Sequence, residues 1–311
     1  MVVMTQPASD FSSLAFYRRL FCFGAALLGL AMVLVDSTPR VRAGSFNIRV
    51  FPSGSTDRER VAEAVAEFNA DIFGVQEIAD AQAFRDVLAR ASSMTGRKYD
   101  FVLTRCRSDR FGVATGIVWD ANRWALDEQR DYPDLLPDDG ENCGKWLPAA
   151  FGVFSGPQGQ RLGVLSVHFP PFPRNYRARQ VFWKRLLKIQ REEAARTGAT
   201  VLALGDFNST GFRGQPAEER EYVEGLVDAA GYEFLSRDVD CTEYYRPPNS
   251  SSFLPSILDH VVATDGEWGS ASVLGLCQRL GCEEAGPENM DPDFYRVSDH
   301  CPILVEGAPA G

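Results

Sequence analysis

Histidine is scarce in this chain: there are three in 311 residues, His168, His260 and His300. Any acid–base site must draw on a very short list. No Cys-x-x-Cys pair occurs and no histidine spacing supports a structural zinc site. No internal repeat, low-complexity tract or Pro/Ser linker divides the chain, so one large α/β domain is expected although the length alone would allow two. Positive charge is also in deficit, with 32 Lys and Arg against 42 Asp and Glu and a formal net charge of −10. The balance is more negative still without the first forty-odd residues. Such a protein is not built to hold polyanions by bulk electrostatics. A phosphate-bearing substrate would need a metal ion to supply local positive charge.

A long apolar run is missing too. Arg18 and Arg19 precede Leu20 to Val35, sixteen residues without a charge, slightly long for a signal-peptide core and short of the ~20 residues of a spanning helix. Flanking arginines number two on each side, which leaves orientation open. Val41-Arg42-Ala43 is a weak cleavage site, and cutting there would trim the strand that follows. The expectation is an exported protein: residues 1–41 form a signal peptide or N-terminal membrane anchor and residues 42–308 the domain, secreted or anchored outside the cytosol. A buried helix in a cytosolic protein is the alternative. Beyond Cys22, six cysteines remain: Cys106, Cys143, Cys241, Cys277, Cys282 and Cys301. An even count fits disulfides in an oxidising compartment, and Cys277 and Cys282 are the nearest candidate pair. Scattered buried thiols are the alternative.

What is present is 45% hydrophobic residues, enough for a sizeable core. The chain reads as alternating strands and helices. Arg42 to Val50 is a strand ending in Phe46-Asn47-Ile48-Arg49. Thr56-x-x-Glu59 is a capping box for a helix with Val61, Ala64, Val65 and Phe68 at helical spacing. Asp71 to Glu77 is a buried strand closing on a carboxylate, and 79–93 a helix. Strands follow near 99–105, 112–120 and 148–155, with a looped acidic segment around 133–145. Arg161 to Val167 is a strand delivering His168. The helix at about 175–196 has an apolar stripe of Phe182, Leu186 and Ile189. Its Arg177, Arg179, Lys184, Arg185 and Lys188 read as a solvated face, with phosphate binding as the other reading. Val201 to Leu204 is a buried strand stopping at Gly205-Asp206-Phe207-Asn208, and ligands of open α/β sheets sit beyond carboxyl ends of strands. Asp206 and Asn208, two apart on an extended segment, would converge on one reactant; an ordinary Asx turn is the plainer reading. A helix near 217–230 and the strand Ile257 to Val262 come next. The acidic loop Glu283 to Asp293 lacks EF-hand spacing and reads as solvated. The last strand runs from Val297 through Glu306.

All three histidines lie at strand ends or in short polar breaks, with Asn47, Glu77, Asp206, Asn208, Asp259 and Asp299 in equivalent places. Each has a plain reading as cap, turn or satisfied core polar group; six strands carrying such residues do not. The ordered set Phe46-Asn47, Gln76-Glu77, Ser166-Val167-His168, Gly205-Asp206-Phe207-Asn208, Leu258-Asp259-His260 and Ser298-Asp299-His300 resembles the endonuclease/exonuclease/phosphatase superfamily, the deoxyribonuclease-I-like fold. The resemblance implies a four-layered α/β sandwich of two packed mixed β-sheets with helices on the outer faces. It implies a metal-dependent phosphodiesterase using Mg²⁺, or Mn²⁺, with Glu77, Asn47 and Asp299 at the metal. His300 would be the general base oriented by Asp259, His168 a donor to phosphate, and Asp206 and Asn208 the residues positioning water and phosphate. His260 is the weakest member, with a structural role equally open. Arg49 resembles an Asn-x-Arg variant of the first motif, with pairing to a nearby carboxylate as its plain reading. Val167-His168-Phe169-Pro170 departs from the Tyr-x-Pro-Asn of the abasic-site branch, and Gly205 to Gly211 lacks the inositol-polyphosphate phosphatase signature. Nucleic acid is the first expected substrate and a lipid headgroup, as in sphingomyelinases, or a small phosphoester the alternative. No protein partner is implied and a monomer is expected. A catalytically silent binding protein on the same scaffold is the reading from another class.

Overall fold

Side-chain alternation along each strand builds the architecture. β1 (Val41–Phe51) is followed by α1 (Arg58–Phe68) and then by β2 (Ile72–Ile78), parallel to β1. α2 (Ala81–Thr95) leads into β3 (Tyr99–Leu103), β4 (Ala114–Asp120), β5 (Ala125–Tyr132), β6 (Ala149–Ser155) and β7 (Arg161–His168). α3 (Tyr176–Thr197), β8 (Thr200–Asp206), α4 (Ala217–Ala230) and the short β9 (Glu233–Phe234) come next, with β8 parallel to β7. β10 (Glu243–Tyr245), β11 (Leu254–Ser256), β12 (Asp259–Ala263), β13 (Glu267–Trp268) and β14 (Ser272–Val273) precede α5 (Leu276–Leu280), α6 (Asp293–Arg296) and the closing strand β15 (Ile303–Ala308). This computed structural model describes residues 40–135, 146–209 and 217–310. The expected leader, most of the acidic segment around 133–145, and Thr210-Gly211 lie outside the described residues.

Two mixed sheets result. One has seven strands, in the order β13-β15-β1-β2-β4-β3 with β14 also on β15; the other has six, in the order β5-β6-β7-β8-β12-β9. Residues of one parity on each strand face the opposite sheet: Val41 and Ala43, Ile72, Leu162 and Val164, Leu202 and Leu204, Val261 and Ala263 share one buried core. Residues of the other parity face the helices. Phe46, Ile48, Phe73 and Val75 pack on Val61, Val65, Phe68, Phe84 and Leu88 of α1 and α2. Leu165, Val167, Val201, Ala203 and Val262 pack on Phe182, Trp183, Leu186, Val223 and Val227 of α3 and α4. The order is therefore helices, sheet, sheet, helices, as the resemblance implied. Each fully buried Leu, Ile, Val or Phe in these layers contributes ~1.5–3 kcal/mol. Gly74 lets the sheets approach, since a Cβ there would lie 2.4 Å from Leu204 Cδ1 and 2.7 Å from Ser166 Oγ.

Several sequence expectations need correction. The N-cap of α1 is Asp57, whose carboxylate accepts from the amides of Glu59 and Arg60; Thr56 Oγ1 instead accepts from Ser53 N at 2.8 Å. β5 was not expected, because Ala125 to Tyr132 carries many charged residues along an edge of the sheet. The closing strand starts at Ile303, with Ser298 to Pro302 outside it. Cys277 and Cys282 do not pair with each other. The disulfides are Cys241–Cys282 and Cys277–Cys301, and Cys106 is also disulfide-bonded. Cys277 sits inside α5, buried, while Cys282 follows its C-cap Gly281 with φ 56°, so the chain turns the two sulfurs to different partners. In the basic helix, Arg177, Lys184 and Lys188 are exposed as expected, but Arg179 is buried and bonds both oxygens of Glu219 at 2.7 and 2.8 Å. Nor is the acidic loop simply solvated: Asp291 and Asp293 pair with Arg279, and Asp293 with Arg60.

Candidate active site

The same parity that buries the apolar rows delivers polar residues to one end of the inter-sheet layer. Asn47 continues the row of Val41 and Ala43, Asp206 that of Leu202 and Leu204, His168 that of Leu162 and Val164, and Asp259 that of Val261 and Ala263. Side chains of the two sheets therefore meet across the sandwich. Asn47 Nδ2 donates to Asp206 Oδ2 at 3.0 Å and lies 3.4 Å from Glu77 Oε1. His168 Nε2 is 3.4 Å from Asp206 Oδ2 and 3.8 Å from Glu77 Oε1. Behind them, Ser45 Oγ, the Gln76 amide and Ser166 Oγ form a buried chain at 3.1 and 3.0 Å that ties the sheets together.

Glu77 breaks the pattern. Alternation would turn it to the helix face, because Gln76 faces the other sheet. Its backbone instead adopts φ 66°, within an irregularity between Val75 and Ile78, and this re-aims the carboxylate into the site. On neighbouring β1, Arg49 and Val50 have φ 23° and 45°, and Val50 N donates to Glu77 Oε2 at 2.8 Å. Left-handed non-glycine residues cost of order 1–3 kcal/mol each and persist only where the surrounding structure holds them in place.

His300 comes from the segment between α6 and β15. Its Nδ1 is 2.8 Å from Asp259 Oδ2 and its Nε2 3.8 Å from Asp206 Oδ2. Ser298 Oγ accepts from His300 N at 3.1 Å and donates to Asn47 O at 2.8 Å, fixing this segment to the end of β1. Burial opposes charge on His300, but Asp259, Asp206 and Asp299 outweigh it and raise its pKa well above the ordinary 6.5. Burial also pushes Asp259 up, against the pull of His300. The proton they share belongs on the imidazole, which has two further carboxylates within range.

Two expected residues stand at the margin. Asn208 has left the strand: with φ 48° its N–H donates to Asp206 Oδ1 at 2.9 Å, an Asx turn, and its Nδ2 donates to Phe169 O at 3.1 Å. It thus braces Asp206 and the residue after His168. Asp299 Oδ2 lies 3.6 Å from Arg49 Nη1, the plain reading of Arg49. Burial raises the Asp299 pKa, with His300 and Arg49 opposing and the Glu77 charge adding. His260 is structural. By parity it faces α3, lying among Phe207, Phe234 and Trp183, with Ser236 Oγ 2.9 Å from Nδ1 and Ser209 O 3.2 Å from Nε2. Burial lowers its pKa to about 4, so the ring is neutral.

Two residues escaped the sequence reading. Thr242 Oγ1 accepts from the amides of Leu258 and Asp259 at 2.9 Å each, fixing the start of β12. Glu243 is buried and bridged to His300 through the backbone. Burial first of all pushes its pKa up to about 8, against the pull of His300. The signal was Cys241, whose disulfide holds this stretch in place; a Thr-Glu pair in a short strand has none of its own.

Among the described residues, no three His, Cys, Asp or Glu side chains form a ready-made metal cage. Mg²⁺ does not demand one, being commonly held by one or two carboxylates with waters and phosphate oxygens. Glu77, its side chain 19% exposed, is a hard oxygen donor of that kind and fits the ion; Asn47 turns its amide nitrogen to Glu77 and Asp206 while its Oδ1 accepts from Arg49 N at 3.0 Å, so it would join the site only by turning its amide about.

Fold and site together place the molecule among two-sheet α/β sandwiches whose members hydrolyse phosphoester bonds. Residues 44–300 match the endonuclease/exonuclease/phosphatase family, and the chain belongs to it. No curated relative matches the chain. Solved structures sharing the fold include an endonuclease/exonuclease/phosphatase family protein from Bacteroides thetaiotaomicron, at 19% identity and TM-score 0.59, covering 86% of this chain and 98% of that one. D. rerio TDP2 complexed with single-strand DNA product superposes at 17% identity and TM-score 0.61, covering 88% and 99%. The Bacteroides thetaiotaomicron mannosyl-6-phosphatase Bt3783 does so at 17% and 0.56, covering 85% and 98%.

Proposed function

We propose that the protein is an exported, Mg²⁺-dependent phosphodiesterase that cleaves nucleic acid. The observation that carries the chemistry is the His300–Asp259 pair, 2.8 Å apart, with the free edge of the imidazole turned toward Asp206 across 3.8 Å. That gap is one that a single water can bridge. His300 Nε2 takes a proton from this water while its Nδ1–H stays bonded to Asp259, which fixes the ring's direction. The water oxygen bonds to phosphorus, the ester P–O bond on the opposite side breaks, and the leaving oxygen takes up a proton from solvent while His300 returns its own to solvent. His168, held between Asp206 and Glu77, donates to a non-bridging phosphate oxygen as charge builds. Asn47 and Asp206 hold these groups in register.

Glu77 and Asn47 would hold Mg²⁺, with Asp299 nearby. When bound, the ion would offset the phosphate charge and, by its own charge, favour the neutral, basic form of His300. Export is supported by the leader's composition and by disulfides of a kind that persist outside the cytosol. Among proteins of this fold, TDP2 holds single-strand DNA and Bt3783 is a mannosyl-6-phosphatase, so fold fixes the bond type and leaves the substrate to experiment. Residues 42–308 would be assayed with Mg²⁺ or EDTA on plasmid DNA, RNA, sphingomyelin and sugar phosphates. EDTA-sensitive cleavage of DNA or RNA is expected. Turnover of sphingomyelin or a sugar phosphate alone would overturn the substrate, and turnover undiminished by EDTA would overturn the metal.

A further inference from the structure

Among the described residues, three aromatic side chains are left exposed: Phe111 (52%), Phe172 (47%) and Tyr295 (45%). Isolated exposed aromatics are ordinary. These three are linked to the active site, and an arginine makes each link. Phe111 lies in the β3–β4 loop. Arg107 Nη1 pins this loop by donating to Gly112 O at 2.9 Å and to Ile78 O and Ala79 O at 3.2 and 3.1 Å, directly after Glu77. Phe172 follows His168 by four residues. Arg179 Nη1 donates to Phe172 O at 2.8 Å and to Pro170 O at 3.1 Å, and Asn175 N donates to Phe172 O at 3.0 Å. Tyr295 packs edge-on against Phe294 and Phe253, and the Phe294 carbonyl accepts from Arg49, the partner of Asp299, at 3.2 Å.

The backbone at Phe172 shows that exposure is imposed. Its φ of 69° and ψ of 147° lie near a region that is almost reserved for glycine. Hydrogen bonds to the Phe172 carbonyl and to that of Pro170 hold an apolar ring there, in water. Guanidinium groups also lie over two of the rings: Arg110 is 4.8 Å from the Phe111 centroid and Arg174 4.5 Å from that of Phe172. Flat aromatic surfaces on two loops and the short helix α6, two of them with a guanidinium alongside, are what unpaired bases stack upon. Bases in a duplex are already stacked on one another and cannot use them. A lipid surface is served better by one contiguous apolar patch than by three rings on two loops and a short helix. Stacking also suits a chain of net charge −10, which has little bulk attraction for phosphates.

We propose that Phe111, Phe172 and Tyr295 are stacking platforms that make the site select single-stranded over double-stranded nucleic acid. This rests on the nuclease reading above. The test compares wild type with Phe111→Ala, Phe172→Ala, Tyr295→Ala and Phe172→Trp on three substrates: a labelled single-stranded 12-mer, its duplex, and bis(4-nitrophenyl) phosphate, a diester without bases. Wild type should favour the single strand about tenfold or more in kcat/KM. Each alanine should raise KM for it by roughly five- to tenfold, lowering the oligomer-to-small-diester ratio, and tryptophan should restore that ratio. Binding of the 12-mer in EDTA, read by fluorescence anisotropy, should weaken in parallel. Its dependence on log salt should be no steeper than about −2, the value for some three phosphate contacts. Equal cleavage of duplex, or an unaltered ratio in all three alanine variants, overturns the platforms while leaving the nuclease reading standing. Loss of anionic-vesicle binding in place of oligomer binding also overturns them, in favour of a membrane role. Small-diester turnover with no cleavage of any nucleic acid overturns the nuclease reading itself.

Discussion

His300 and Asp259 define what single residues contribute here. Replacing His300 with alanine removes the imidazole that the buried Asp259 holds at 2.8 Å, and kcat should fall by roughly 10²–10⁴. Asp259→Asn keeps the shape but spoils the acceptor for Nδ1, and a loss of the same order is expected in steady-state assays at fixed Mg²⁺; wild-type turnover in either variant would refute the assignment. Three carboxylates raise the pKa of His300 above 6.5. An NMR titration of the metal-free protein should therefore find the imidazolium persisting above pH 6.5, and Mg²⁺ should move the midpoint down. A midpoint at or below 6.5 without metal would mean that the carboxylates do not control this ring. Asn208, by contrast, is bonded to Asp206 Oδ1 and to Phe169 O, so Asn208→Ala is expected to disturb the placing of Asp206 and Phe169.

At the scale of elements, the site is an edge where two sheets end, braced from outside. Arg179 on α3 is a buried strut, joining Glu219 on α4 to the carbonyls after His168. Arg179→Ala leaves Glu219 buried and uncompensated and should cost roughly 3–5 kcal/mol in urea denaturation, whereas Arg179→Met with Glu219→Leu should recover most of it. The disulfides brace the other side: Cys301 adjoins His300, and Cys241 lies two residues before Glu243. Opening Cys277–Cys301, which closes a sequence separation of 24, should cost about 3 kcal/mol. Mild reduction should therefore lower activity and melting temperature together. A reduced enzyme with full activity would show that the His300 segment is held by the Ser298 contacts alone.

For the whole molecule, charge decides the response to pH and metal. Glu243, pushed up to about 8, and His300, raised above 6.5, both bind a proton more tightly in the folded state. Their stabilising contribution is complete below the unfolded values and is lost as pH rises through the folded ones. In EDTA, stability should therefore fall between about pH 6.5 and 8, by up to ~1.4 kcal/mol per pH unit for each proton held, whereas below 6.5 the lowered pKa of buried His260 acts in the opposite sense. Glu243→Gln should flatten part of that slope. Adding Mg²⁺ at a hundredfold excess over its Kd should stabilise the fold by about 2.7 kcal/mol, and Glu77→Gln should remove most of that gain in a thermal-shift assay.

Some of this was written in the sequence. Parity along strands is a property of the chain, so the rows that end in Asn47, His168, Asp206 and Asp259 could be read directly, as could the helices with apolar spacing at Phe182, Leu186 and Ile189. The ordered motifs gave the sandwich and its bond chemistry. Parity also separates Asp259 from His260, sending one to the site and the other to α3, although only the packed sheets show which face is which. The tertiary structure alone decided the rest. Glu77 reaches the site by a left-handed turn that contradicts alternation, and local sequence does not announce such a turn. Cys277 and Cys282 are close in the chain, yet helix α5 and its C-cap send them to Cys301 and Cys241. Glu243 and Arg179 look like surface charges until both sheets and both helix layers close around them. Local periodicity fixes which way a side chain points; which charge it meets depends on what the folded layers bring opposite.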